Sequence, residues 1–280
     1  MKIVCRKLAA VAAIAILPAA LMTQTTSPAG AVVGDQHVHV DRMLHALHNF
    51  LGRRVGTATV GVLDLNSGQR VLYRPTHQQL TASVVKVEIL MALLARRHAP
   101  LPAARKTEAR RMITQSSNAD AQRLWQAIGR VHGAARFGRR VGLQTTAPAG
   151  GTGPGYPWGL TLTTPADQLR LLSLLAEHNH VLSDRDRTYE WSLMRHVEAG
   201  QRWGIRAGTS ATSSVALKDG WLPLRGNRDW QVNSIGYVRA PHHKYLISVM
   251  SAGSPTMSYG IHTVEGVSRI VWRNTGWPVE

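Results

Sequence analysis

The sequence predicts an α+β fold: one antiparallel sheet assembled from both ends of the chain, with an all-helical insertion between them. Three observations lead there. Residues 57–74 read as two short strands, and the last third holds three more strand-like runs. Between residues 83 and 200 the apolar residues recur mostly at helical spacing. No internal repeat or hinge-like linker divides the 280 residues.

The chain opens with Lys2, Arg6 and Lys7, followed by an apolar run from Leu8 to Leu21 broken only by Pro18. Small residues Ala29 and Ala31 follow in "PAGAVVG". This order is that of a secretory signal peptide over residues 1–31, and the protein is expected to be secreted. A stable membrane span is not expected, since spanning needs about 20 consecutive apolar residues. Residues 32–280 are read as a single domain, with an α/β part at 38–80 and 203–275 and a helical part at 83–200.

"VDRMLHALHNFL" spaces Val40, Leu44, Leu47 and Leu51 for a helix, and "TATVGVLDLNSGQRVLYR" forms a hairpin turning at Asn66–Ser67–Gly68. A mostly apolar helix is expected from Ser83 to about Arg97, with further helical pieces around 105–114 and 119–129. "QTTAPAGGTGPGYPWG" is a long loop by its glycine and proline content. Thr164 and Pro165 then start one helix and Ser183 caps another, with Asp186 three residues on. "SSVALKDGW", "WQVNSIGYV" and "KYLISVMS" are successive strands, and a helix over about 260–272 closes the chain.

The formal charge is +17, of which +14 falls after residue 31, where 26 of 30 basic residues are arginine. Such a balance favours an anionic cell-envelope surface as a partner. The basic residues are scattered and lack any nucleic-acid-binding pattern, so no nucleic acid is expected. Cys5, the sole cysteine, precedes the apolar run and leaves the domain without disulfides. The thirteen histidines show no H-E-x-x-H or other metal-ligand spacing, so neither metal nor cofactor is expected. A monomer is expected.

Ser83 and Lys86 stand three apart in "SVVK" and so share one helix face. A serine hydroxyl needs a base before it can act as a nucleophile, and a lysine becomes one when burial lowers its pKa. The competing reading is a capping serine with a lysine reaching out to solvent. Ser116 and Asn118 lie in a polar break between two helices, where Ser116 could relay a proton and Asn118 could donate to a substrate carbonyl. Alternatively, one of them caps the helix that follows. Lys218 ends a strand, and Gly220 beside it would let a ligand approach the strand edge.

"SVVK" (83–86), "SSN" (116–118) and "KDG" (218–220), in that order, resemble the penicillin-recognising serine hydrolase superfamily, which includes class A β-lactamases and D,D-peptidases. "TTP" at 163–165 and the strand order agree, so the resemblance covers most of residues 38–275. It implies a β-lactamase/transpeptidase-like fold and an acyl-enzyme on Ser83, with Lys86 as base, Ser116 as relay and Asn118 positioning substrate. Lys218 would support the substrate's anionic group and proton traffic, Asp219 and Gly220 would adjoin the substrate, and Ser83 and Trp221 would supply oxyanion-hole N–H groups. The substrate would be a small molecule or peptide bearing an amide or ester, such as a cell-wall peptide. Two other readings stay open: a slow or inactive protein that binds β-lactam or peptidoglycan, and a true class A-like β-lactamase.

Two departures bear on that choice. Class A β-lactamases activate the deacylating water with a glutamate on a loop after the S-x-N element. Here no acidic residue occurs between Asp120 and Asp167. Asp219 stands where the resemblance calls for threonine or serine, and a carboxylate there would repel an anionic substrate unless it turned away and paired with Lys218. In the loop, Tyr156 and Trp158 are expected to pack on the core, with a roof over the site as the alternative.

Overall fold

The computed structural model describes residues 29–96, 100–150, 156–224 and 228–275, with side chains from residue 40 onward. The expected signal peptide lies almost wholly outside the described residues. The first helix, α1 (Ala29–Leu51), begins before the expected Val40 and runs through the proposed cleavage point. No described helix is long and apolar enough to cross a membrane.

Strands β1 (Thr57–Asp64) and β2 (Arg70–Tyr73) form the expected hairpin. Its turn is held by Asp64, whose Oδ1 accepts from the Asn66 and Ser67 amides. Near the other end of the chain, β5 (Ser214–Leu224), β6 (Asp229–Ala240) and β7 (His243–Ser254) form a meander. The two ends meet where β1 pairs antiparallel with β7, Val60 opposite Val249. The order is β2-β1-β7-β6-β5, so the sheet is built from both ends of the chain and β5 is an outer strand.

Between the two groups lie β3 (Gln79–Leu80), α2 (Val85–Leu94), α3 (Ala103–Thr114), α4 (Asn118–Ile128), α5 (Arg130–Val141), β4 (Leu162–Thr163), α6 (Pro165–Ala176) and α7 (Asp184–Arg195). The expected helix from Ser83 is split: a 3-10 turn spans Ala82–Val84, α2 follows it, and Arg97 lies outside the described residues. Helix α5 is an addition to the expected elements, none of which covers residues 130–141. Gly129 and Gly142, both with positive φ, bracket it. The caps on α6 and α7 are those expected, with Thr164 and Ser183 accepting from the amides of Asp167 and Asp186. Strands β3 and β4, two residues each, pair with one another and were not anticipated.

Successive side chains on a strand point to opposite faces. Ala216, Ile235, Leu246 and Met250 face the helical insertion, where they join the core around α2, α4 and α6. Leu217, Val232, Val238 and Ile247 face the other way, beneath α1 and the last helix, α8 (Met257–Arg273). On β5 this alternation turns Lys218 toward the insertion and Asp219 away from it.

Candidate active site

Ser83 lies in the middle of the 3-10 turn that leads into α2. The residue before it, Ala82, has φ +47°, a left-handed conformation that costs a non-glycine residue about 1–2 kcal/mol. Strand β5 meets this turn at Gly220. A Cβ on Gly220 would stand 2.7 Å from the Ser83 nitrogen and 2.9 Å from that of Val84. The glycine therefore admits the backbone of the serine turn, and the expected role of admitting a ligand is corrected on that point. Because Gly220 adjoins Ser83, the next residue, Trp221, lies beside the same turn.

Lys86 is 0% exposed, so its chain does not reach to solvent. Its Nζ lies 2.6 Å from the Ser116 carbonyl oxygen and 2.7 Å from Asn118 Oδ1. It also lies 3.0 Å from the hydroxyls of both Ser83 and Ser116. The 3-10 turn and the first turn of α2 that continues it supply Ser83 and Lys86 from one face. The break between α3 and α4 supplies Ser116, at φ +54°, and Asn118. Ser117, between them, caps α4 by accepting from the Asp120 amide, which frees its two neighbours to point at the amine.

Burial pushes the Lys86 amine down to about 6, and the nearby Lys218 ammonium adds to the effect. Lys218 is wholly buried, donates from Nζ to the Asp219 carbonyl oxygen at 2.8 Å, and is lowered to about 8, again chiefly by burial. A neutral Lys86 amine has two N–H bonds and one lone pair. The carbonyl and the amide oxygen can only accept, so they take both N–H bonds. Only a hydroxyl can donate to the lone pair, and the two within reach belong to Ser83 and Ser116.

Asp219 is 0% exposed and lies on the opposite face of β5 from Lys218. Its carboxyl is buried beside the Ser234 hydroxyl and the Trp203 backbone, neither of which comes within full hydrogen-bonding geometry; Oδ1 would stand 3.3 Å from a Cβ on Gly204. Burial raises this carboxyl well above its usual range, with Ser234 and Lys218 only partly opposing. The expected contact of Asp219 with substrate is thus corrected: strand alternation turns it away. The alternative in which it pairs with Lys218 is realised only as an attraction, with no ion pair formed.

The loop between α5 and α6 brings in Trp158, which packs on the core as expected and also reaches the site. Trp158 lies in a 3-10 turn, Pro157–Leu160, and its ring centroid is 4.9 Å from Lys86 Nζ. The ring is 2% exposed, and its Nε1 donates to Gln122 Oε1 at 3.2 Å. Gln122 stands four residues after Asn118, so one face of α4 holds both the lysine and the ring. Tyr156 remains 45% exposed, 5.4 Å from Trp158. Helical periodicity could have found Gln122; nothing local distinguishes Trp158 from Tyr156. The acid nearest in sequence to Lys86, Glu88, is two residues on and about 200° round the helix, hence directed away from Ser83.

The family described as "Beta-lactamase enzyme family" matches residues 105–275, which include Ser116, Asn118 and Lys218. "Putative lipoprotein LppW" of Mycobacterium tuberculosis (strain ATCC 25618 / H37Rv) is 29% identical over 204 residues, covering 70% of this chain. The chain spans 63% of the length of that relative. Among solved structures, the TLA-1 extended spectrum beta-lactamase superposes with a TM-score of 0.75 at 16% identity, covering 84% of this chain and 99% of that one. PBP-A superposes with a TM-score of 0.69 at 20% identity, covering 83% and 95%. At such identities the likeness shows the fold.

Proposed function

The chain belongs to the beta-lactamase enzyme family, and on that premise we propose that it is a serine hydrolase working through an acyl-enzyme on Ser83. The observation that carries this reading is the arrangement at Lys86. Its two N–H bonds are taken by acceptors that cannot donate, at 2.6 and 2.7 Å, and its lone pair is left for a hydroxyl. Ser83 Oγ, 3.0 Å away, gives up its proton to that lone pair while attacking a substrate carbonyl carbon. The oxygen that turns negative is received by the N–H groups of Ser83 and Trp221. The proton then travels through Ser116 Oγ, 3.0 Å from the amine on its other side, to the departing amine or alcohol. The Asn118 side-chain NH2, free because its Oδ1 is the partner of Lys86, donates to the substrate.

The substrate is an amide or ester of a small molecule or peptide, cell-wall peptide included. With Asp219 turned away, Lys218 is the group that would meet an anionic end of it. A slow-release binder is the second reading, favoured by the lack of any acidic residue from 121 to 166. That stretch contains the loop in which the resemblance places the deacylating glutamate, and without that base efficient class A-like β-lactamase turnover is disfavoured. Residues 32–280 would act as one secreted domain, held near anionic envelope polymers by its +14 charge. The relatives' name as lipoproteins supports a place at the cell surface.

Whole-protein mass spectrometry after mixing with benzylpenicillin and with a fluorophosphonate tests the reading. Adducts on Ser83, absent from Ser83→Ala, are expected. Failure of both reagents to label a folded protein would overturn it.

A further inference from the structure

Resting on the acyl-enzyme reading above, we propose that Trp158 is a positioning residue that keeps water from Lys86 and from the adjoining side of Ser83, so that an acyl group on Ser83 is hydrolysed slowly.

Hydrolysis of an acyl-enzyme requires water to add to the ester carbonyl while passing a proton to a base. Ser83 Oγ then leaves and takes a proton back. The base must therefore meet the incoming water. Around Lys86 Nζ, the Ser116 carbonyl and hydroxyl and Asn118 Oδ1 occupy the polar directions. On the Ser83 side, 3.0 Å away in the free protein, an acylated Oγ would be an ester oxygen with no proton to give. A further side is covered by an indole ring, 4.9 Å to its centroid, which offers no proton acceptor and leaves little space for water.

The ring is fixed from several directions. Its Nε1 donates to Gln122 on α4. The residue after it, Gly159, packs against Ala82, where a Cβ would meet the Ala82 Cα at 3.8 Å. The segment returns to the serine turn through the Thr81 amide, which donates to the Thr161 carbonyl at 2.8 Å, and through the Thr81 hydroxyl, which donates to the Gly159 carbonyl. The turn that carries Ser83 and the turn that carries Trp158 are thus tied to one another. An aromatic face also attracts an ammonium, but the ring excludes water as well, and burial is the first cause of the lowered Lys86 pKa.

Trp158→Ala and Trp158→Phe test this on the full chain. With benzylpenicillin, the adduct on Ser83 is expected to survive about tenfold less long in Trp158→Ala than in the parent, and nearly as long in Trp158→Phe. The fluorophosphonate, labelling Ser83 in all three, shows that the variants are folded and reactive. Only four lysines follow residue 31, so carbon-13 labelling at Cε lets Lys86 be titrated by NMR with no ligand present. Its midpoint is expected to move upward in Trp158→Ala, a change that a merely structural ring would not produce. A folded Trp158→Ala with an unchanged adduct lifetime would overturn the proposal and leave the acyl-enzyme reading standing. A parent protein that takes neither reagent would overturn both. An unchanged Lys86 titration would overturn the role of the ring in drying the amine.

Discussion

The α-carbon of Gly220 faces the amide of Ser83 so closely that a single added carbon would sit 2.7 Å from that nitrogen. The atoms in the way, Ser83 N, Val84 N and Thr81 O, all belong to the backbone and cannot swing aside. Gly220→Ala must therefore push β5 from the serine turn, and with it the N–H groups proposed to receive the oxyanion. A stability loss of about 1–3 kcal/mol is expected by thermal unfolding. Labelling of Ser83 by fluorophosphonate should slow by at least about 100-fold. Labelling at the parental rate would mean that the contact has no part in the chemistry.

The two buried lysines set opposite limbs of a pH profile. Lys86 acts as a base only when neutral, so acylation should rise through about pH 6 and then level off. Lys218, lowered to about 8, loses its charge above that pH, and acylation by an anionic penicillin should fall there. Lys218→Arg, charged at all accessible pH, should move only the alkaline limb upward. Rates of adduct formation between pH 5 and pH 10 measure both. A flat profile from pH 5 to 7 would contradict a lysine base.

What could be read from sequence was local. Ser83 and Lys86 share a helix face because they are three apart, and the caps of α6 and α7 involve residues three apart as well. Helix α5 was not legible because "RVHGAARFGRRV" carries two glycines and a run of arginines. Gly133 is there because a Cβ would meet the Ile128 carbonyl at 1.7 Å, a constraint created only once α4 has turned into α5. The orientation of Asp219 was legible: if Lys218 points inward, its neighbour on a strand must point outward. Trp158 was not, since its place depends on bonds to Gln122 and on the pairing of its turn with Thr81, far off in the chain.

Glu88 gives a stability test separate from the site. Both its carboxyl oxygens are buried without a hydrogen-bond partner, and burial, helped by Asp167, raises it to about 8. The folded protein holds this proton between the unfolded value near 4.5 and about 8, so ionisation opposes folding increasingly as pH rises through that window. Glu88→Gln should be close to neutral at pH 5 and stabilising at pH 8, on the order of 3 kcal/mol. Calorimetry at both pH values measures the difference. Equal effects at the two would show that the carboxyl is not protonated in the fold.

Asp167 anchors the other end of the segment that carries Trp158. Its carboxylate accepts from the amides of Gln144, Thr145 and Thr146 at 2.7–2.9 Å, and from the hydroxyls of Thr145 and Thr146 at 3.0 and 2.8 Å. These bonds to the charged form hold its pKa below the usual value even though burial acts the other way. Its contribution is therefore complete above the ordinary carboxylate range and disappears as pH falls through the depressed value. Asp167→Ala removes all five acceptor contacts and leaves three amides at the start of the segment unpaired, at an expected cost of about 2–4 kcal/mol at pH 7. Because the same segment ends against Thr81, freeing its start should also expose residues 143–161 to proteolysis before global unfolding. Limited proteolysis with a chymotrypsin-like enzyme would show this as early cleavage near Tyr156 and Trp158. Cleavage elsewhere first would mean that Thr81 alone holds the segment in place.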